Sequence, residues 1–243
     1  MTLKVFADLM SQPARAVLIF VRAAGIPHEF ENVMLKENLH KTPEYTKVNP
    51  FQVVPAITDN GVPVIESCSI LRYLAGTKPI EDYWYPKEPL LQARVDSYLS
   101  WQHLNTRWNC ARYFQVSWLI PMMKQEPIDT EAQASYLIQM EKTLTDIENV
   151  WLEGGKRKYI AGAKEEGALS VADIMACCEL EQPSMAGYDV KKGRPVLEEY
   201  MLRVKEDLNP HYDDVHKVVY MMIEKFGGQV PTIKKDKDYK IKM

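Results

Sequence analysis

Two rhythms of apolar and polar positions divide the chain. In the first, short apolar runs alternate with amphipathic stretches. Leu3 to Ala7 predicts a strand, and Pro13 opens an amphipathic helix with Val17, Phe20 and Ala24 on one face. Gly25 stops that helix, and Glu29 to Val33 predicts a second strand. A looser helical stretch follows. Ala56 to Thr58 and Val62 to Ile65 then flank Asp59-Asn60-Gly61, a hairpin signal because Asn and Gly tolerate positive φ. Ser67 to Leu74 predicts a helix ended by Gly76. The order is β-α-β, then β-β-α.

The second rhythm is helical throughout. Pro79, Pro86 and Pro89 interrupt any apolar period between Thr77 and Pro89, which marks a linker. Beyond it, Leu91, Val95 and Tyr98 share one face, as do Tyr136, Met140, Leu144, Ile147 and Trp151. Ser170-Val171-Ala172-Asp173 has the spacing of a capping box, with Asp in place of Glu, ahead of Ile174-Met175-Ala176. The expected organisation is a small α/β domain over 1–76, a linker over 77–89, and an all-helical domain with a C-terminal tail over 90–243. No internal repeat or low-complexity tract interrupts it.

Composition narrows the function classes. A chain of 243 residues buries a substantial core, and 46% apolar with 26% charged residues is the balance of a globular protein in water. A formal charge of -3 gives no electrostatic ground for a nucleic-acid partner. The one basic concentration, Lys234 to Lys242, is interrupted by Asp236 and Asp238 and reads as a solvated end. The four cysteines, Cys68, Cys110, Cys177 and Cys178, have no Cys-x-x-Cys or Cys/His metal spacing, so no metal site is expected and the thiols read as reduced, in a cytoplasmic protein. No leader-like N-terminus and no apolar run of about 18 residues appears, so neither a signal peptide nor a membrane span is expected.

The informative motifs lie at the ends of the predicted strands. Asp8-Leu9-Met10-Ser11-Gln12-Pro13 puts a hydroxyl at the first strand-to-helix turn. Val54-Pro55-Ala56 opens the third strand, and Glu66-Ser67 opens the helix after the fourth. With His40-Lys41 ahead of Glu44-Tyr45, Val48-Asn49-Pro50, Asp82-Tyr83-Trp84-Tyr85-Pro86, Trp101-Gln102-His103, Leu169 to Asp173 and Gly193-Arg194-Pro195, the chain resembles the theta class of glutathione transferases over about residues 1 to 205. Several of these motifs are shared by many transferase classes; Ser11 and the Asp-Tyr-Trp-Tyr-Pro segment narrow the likeness to theta. The resemblance implies a thioredoxin-like N-terminal domain followed by an all-α domain, in a homodimer.

It also implies roles. Ser11 would donate a hydrogen bond to the glutathione thiolate, helped by the positive end of the helix that follows; the alternative is a helix-capping serine. Glu66 would pair with the γ-glutamyl ammonium, while Ser67 and the backbone N–H groups beside it take the α-carboxylate. Val54-Pro55 would hold a cis peptide that presents the Val54 backbone to the cysteinyl part. His40 and Lys41 are candidates for the glycine carboxylate, and Arg107 for an anionic leaving group. Asp173 reads as a folding residue. Met10, Trp108, Tyr113 and Trp118 are pocket candidates, although aromatics at helical spacing are more often core.

Two departures from the theta pattern stand out. Gln52-Val53 replaces a lysine common before the Val54 position, and the tail lacks the tryptophan that some dehalogenating relatives carry. The expected activity is conjugation of glutathione, as co-substrate and without a cofactor, to small hydrophobic electrophiles, with reduction of organic hydroperoxides as a second outcome. The competing reading is a non-catalytic ligand carrier or scaffold of the same fold.

Overall fold

The computed structural model describes residues 2–161 and 167–231. A four-stranded sheet of order β2-β1-β3-β4 is built from β1 (Leu3–Ala7), β2 (Glu29–Asn32), β3 (Ala56–Asp59) and β4 (Val62–Ile65). β2 runs parallel to β1, and β3 and β4 are antiparallel to their neighbours. Helix α1 (Gln12–Ala23) makes the crossover between the parallel pair, and its residues Gln12 to Val21 are all buried. Ten consecutive buried positions mean that α1 is covered on every side, by the sheet and by helices from the second half.

The sequence-predicted elements are present, with boundary corrections. β2 stops at Asn32; Val33 lies just beyond it, its N–H donating to the Ala7 carbonyl at 3.0 Å. Asp59 belongs to β3, so the hairpin turn is Asn60-Gly61 alone, with φ of 53° and 82°. The predicted stop at Gly76 is wrong: α3 runs over Ser67–Thr77, because Gly76 sits in ordinary helical space and propensity alone does not end a packed helix. Gly25 does end α1, in the left-handed region at φ 64°. Between β2 and β3 lie two 3-10 turns, Leu35–Glu37 and Leu39–Lys41, and the one-turn helix α2 (Pro43–Thr46).

The stretch after α3 holds the 3-10 turn Asp82–Trp84, whose Trp84 packs edge-on to Phe20 of α1 with ring centroids 5.5 Å apart. The helical half comprises α4 (Pro89–Trp101), α5 (Thr106–Phe114), α6 (Ile120–Lys124), α7 (Thr130–Asp146), α8 (Val171–Leu180), α9 (Pro195–Leu208) and α10 (His211–Phe226). α8 is buried along its whole length and packs on α1, so the two halves share one core. The capping box at its start is formed: Asp173 accepts from the Ser170 N–H at 2.9 Å, the Ile160 N–H at 2.8 Å and the Tyr200 hydroxyl at 3.0 Å. Among the described residues, no helix is long and apolar enough to cross a membrane.

Candidate active site

Where the C-terminal end of the sheet meets α5 and α8, a cleft of about 220 Å³ opens. Pro13, Val53, Val54, Pro55, Glu66 and Ser67 line it from the α/β half, and Gln102, His103, Arg107, Met175 and Glu179 from the helical half. The cleft therefore brings together five of the sequence-predicted site residues: Val54, Pro55, Glu66, Ser67 and Arg107. Ser11, His40 and Lys41 are not among its lining residues. Pro13, two residues after Ser11, is the lining residue nearest to it in sequence.

Ser11 occupies the N-cap position of α1 with extended backbone (φ -87°, ψ 120°), yet its side chain makes no capping hydrogen bond. A capping hydroxyl accepts from the second or third helical N–H; Pro13 at the second position has none, and Ser11 does not take up the third, that of Ala14. Among the described residues the Ser11 hydroxyl has no partner. The turn that carries it is firmly held. Ser11 N–H donates to the Asp8 carbonyl at 2.9 Å, Met10 N–H to the buried Asp8 carboxylate at 2.8 Å, and Arg15 N–H to the Ser11 carbonyl at 2.9 Å. The second Asp8 oxygen accepts from Leu35 N–H at 2.7 Å and so ties this turn to the segment that leads to His40.

The Val54-Pro55 peptide bond is cis. Upstream, the Val53 carbonyl accepts from the Tyr45 hydroxyl at 2.6 Å and from the Asn49 amide at 2.8 Å, which secures the loop. The Val54 backbone itself has no hydrogen-bond partner among the described residues, so it presents a short free edge to the cleft. Gln52 is not in the lining; its amide is engaged with Thr46 Oγ1 at 3.1 Å. Glu66 is the N-cap residue of α3, exposed and in strained backbone (φ 68°, ψ 114°), and its side chain makes no capping bond. A non-glycine residue held at positive φ marks a place where position matters more than local comfort. Behind it, Cys68 is buried against His103 (Sγ to Nε2 3.7 Å), and burial pushes its thiol up, away from nucleophilic use.

On the facing wall, Arg107 of α5 approaches Glu179 of α8, with Nη1 at 3.4 Å from each carboxylate oxygen. The Glu179 side chain is fully buried whereas that of Arg107 is 35% exposed. Burial pushes the Glu179 carboxyl up, and Arg107 works against that rise. Arg107 is thus neither freely solvated nor neutralised at the surface; one edge of its guanidinium is anchored while the rest faces the cleft. Glu179 was missed by sequence reasoning. Its one signal is a lone acid in the apolar run from Ile174 to Leu180.

His40 is partly buried and its Nδ1 has no partner. Burial, then the neighbouring Lys41 charge, lowers its pKa, so at neutral pH the imidazole is uncharged and Lys41 is the cation of the pair. Of the four further pocket candidates, Trp118 and Tyr113 are core residues, Met10 is partly buried and Trp108 is exposed. Trp118 is buried and stacked on Phe114 at 5.7 Å, Tyr113 is buried edge-on to Tyr188, and Met10 packs against the Trp118 cluster. Trp108 is exposed beneath the Arg112 guanidinium at 4.3 Å, and none of the four lines the cleft. The basic stretch Lys234 to Lys242 lies outside the described residues.

Comparison with known proteins agrees with this geometry. The family profile described as "Glutathione S-transferase, N-terminal domain" matches residues 1–76. Human glutathione S-transferase theta-1 is 35% identical over 238 residues, covering 96% of this chain and 95% of the relative. The solved apo form of human glutathione-S-transferase T1-1 superposes with a TM-score of 0.85 at 34% identity, covering 91% of each chain. A human theta-class glutathione transferase, solved in complex with the glutathione conjugate of 1-menaphthyl sulfate, superposes with a TM-score of 0.82 at 31% identity, covering 97% of this chain and 95% of that one.

Proposed function

The chain belongs to the theta class of glutathione S-transferases, enzymes that conjugate glutathione, and from that premise we propose that Ser11 activates the glutathione thiol for attack on small hydrophobic electrophiles. The observation that carries the reading is the Ser11 hydroxyl: it stands at the start of a buried helix, makes no capping bond, and lies next to a cleft that collects Val54, Pro55, Glu66, Ser67 and Arg107. In this reading Glu66 pairs with the γ-glutamyl ammonium. The Ser67 hydroxyl and the first N–H groups of α3 donate to the α-carboxylate, where the helix dipole favours a negative charge. The free Val54 backbone pairs with the cysteinyl unit as a one-residue strand, and Lys41, with neutral His40 beside it, serves the glycine carboxylate.

The thiol proton leaves to solvent. The sulfur, stabilised by the Ser11 O–H and the α1 dipole, forms a bond to the electrophilic carbon as the bond to the leaving group breaks. Arg107 meets the departing anion, and Glu179 anchors the guanidinium for that task. Reduction of organic hydroperoxides draws on the same thiolate. The chemistry calls on no metal or prosthetic group. The α/β domain over 1–76, the helical domain from 90 onward, the homodimer and the cytoplasmic location complete the proposal.

The test is the pKa of the bound thiol, read from thiolate absorbance across pH in wild type and Ser11→Ala. The expected wild-type value lies about two units below the free value of ~8.5. Reversion in Ser11→Ala would leave about 25-fold less thiolate at neutral pH, with turnover falling in step and glutathione binding retained. Tight binding with an unshifted thiol would instead make the chain a carrier.

A further inference from the structure

One charged residue is buried more deeply than any chemistry described so far requires. Arg15 is 0% exposed, near the start of the otherwise apolar segment Ala14 to Val21. Its guanidinium donates to three acceptors: the Leu9 carbonyl at 2.9 Å, the Cys178 carbonyl at 3.0 Å and the Gln182 side-chain oxygen at 2.7 Å. All three acceptors are neutral; the carboxylates of Glu179 and Glu181 act on its charge from a distance, without a hydrogen bond to it. Burying a cation with no carboxylate in direct contact costs several kcal/mol, and an apolar side chain packs such a site at less expense. A brace between α1 and α8 therefore does not by itself account for an arginine.

What the guanidinium holds accounts for it. Leu9 is two residues before Ser11. With Arg15 on the Leu9 carbonyl, the Asp8 carboxylate on Met10 N–H, the Asp8 carbonyl on Ser11 N–H and the Arg15 N–H on the Ser11 carbonyl, the polar backbone groups of this turn are engaged in succession. The Ser11 hydroxyl takes no part in these bonds. The other end of the fork grips the C-terminal part of α8, one residue from Glu179, the anchor of Arg107. The two walls of the cleft are thus referenced to the same turn of α8, across 163 residues of sequence.

We infer that Arg15 is a positioning residue for thiol activation: its fork sets the Ser11 turn against α8 and keeps its charge at the start of α1, where Glu179 and Glu181 offset it only from a distance. This rests on the reading of Ser11 as the donor to the thiolate. Arg is suited to the task in a way Lys is not, because one planar group reaches acceptors on two elements at once.

The experiment compares wild type, Ser11→Ala, Arg15→Gln and Arg15→Lys, each as the full chain. It reads the bound thiol pKa by thiolate absorbance, glutathione affinity by calorimetry well below that pKa, and the unfolding midpoint. Arg15→Gln is expected to raise the thiol pKa by about one unit, a tenfold change in the ionisation constant, while affinity for the protonated peptide moves less than about threefold. Arg15→Lys, which keeps the charge and loses the fork, is expected to fall between the two. Should neither Arg15 variant fold, Gln182→Leu removes one acceptor from outside the turn and is expected to shift the thiol in the same direction.

A lowered unfolding midpoint with the thiol pKa within about 0.3 units of wild type, in whichever of these variants folds, overturns the inference and leaves Arg15 a structural residue. If Ser11→Ala itself leaves the pKa unmoved, the reading of Ser11 fails and the inference falls with it. The two failures are therefore distinct results.

Discussion

Two strand-to-helix turns face the cleft, and they are built by opposite means. Both end a strand, both open a helix, and neither N-cap side chain caps its helix. At Ser11 the backbone is relaxed (φ -87°) and the position is set from outside, by buried Asp8 and buried Arg15. At Glu66 the side chain is exposed and the backbone itself is strained (φ 68°). The difference follows from the work proposed for each. A hydrogen-bond donor to a thiolate must be placed to a fraction of an ångström in a site screened from water, which takes buried supports. A carboxylate that meets a substrate's ammonium works at the surface, where one awkward dihedral aims it.

The largest expected effect breaks the first turn. Asp8→Ala removes the acceptor of both Met10 N–H and Leu35 N–H, so a loss of about 3 kcal/mol in unfolding free energy is expected from two bonds to a charged group, measured by urea denaturation. The thiol pKa of bound glutathione is expected to rise towards its free value in the same protein, because the turn then keeps only its backbone bond from Ser11 N–H and its contacts with Arg15.

A smaller and opposite effect is expected at the second turn. Glu66→Gly relieves the positive φ and is expected to gain about 1 kcal/mol of stability while weakening glutathione binding roughly tenfold. Ser11→Gly, at a relaxed φ, is expected to gain nothing. A Glu66→Gly protein that is no more stable than wild type would mean that the backbone there is not under strain.

The smallest effect sharpens the contrast through pH. α10 packs on α1, and its His216 is fully buried, with Nδ1–H donating to the Tyr212 carbonyl at 2.9 Å and Nε2 without a partner. Burial, then the Arg15 charge, holds its pKa well below the ordinary value, so the folded protein keeps it neutral. The unfolded chain takes up a proton below about pH 6.5 and the folded one does not, so stability falls as pH falls through that value. A loss of roughly 1 kcal/mol between neutral pH and about pH 5.5 is expected, and it should flatten in His216→Gln.

Much of the α/β half was legible because its signals are short-range. Pro13 and Gly25 bracket α1, Asn60-Gly61 makes the hairpin, and Ser170 with Asp173 caps α8. Gly76 misled for the complementary reason: it is a weak local signal overruled by the packing of α3. The cleft was legible in part. Glu66, Ser67, Val54 and Pro55 line it, whereas the uncapped state of the Ser11 hydroxyl, which leaves the Ala14 N–H unused, shows only in the folded turn.

Amino-acid order by itself determined where the strands and helices begin, which face of each is apolar, and that the chain carries the theta motifs. These follow from dihedral preferences and periodicity within a few residues. Tertiary structure alone decided that Arg15 reaches Cys178 and Gln182, and that Arg107 meets Glu179 across 72 residues. A buried charge in an apolar helix announces that it needs a partner. Which partner it finds depends on how α1, α5 and α8 close on one another, and no local pattern encodes that closure.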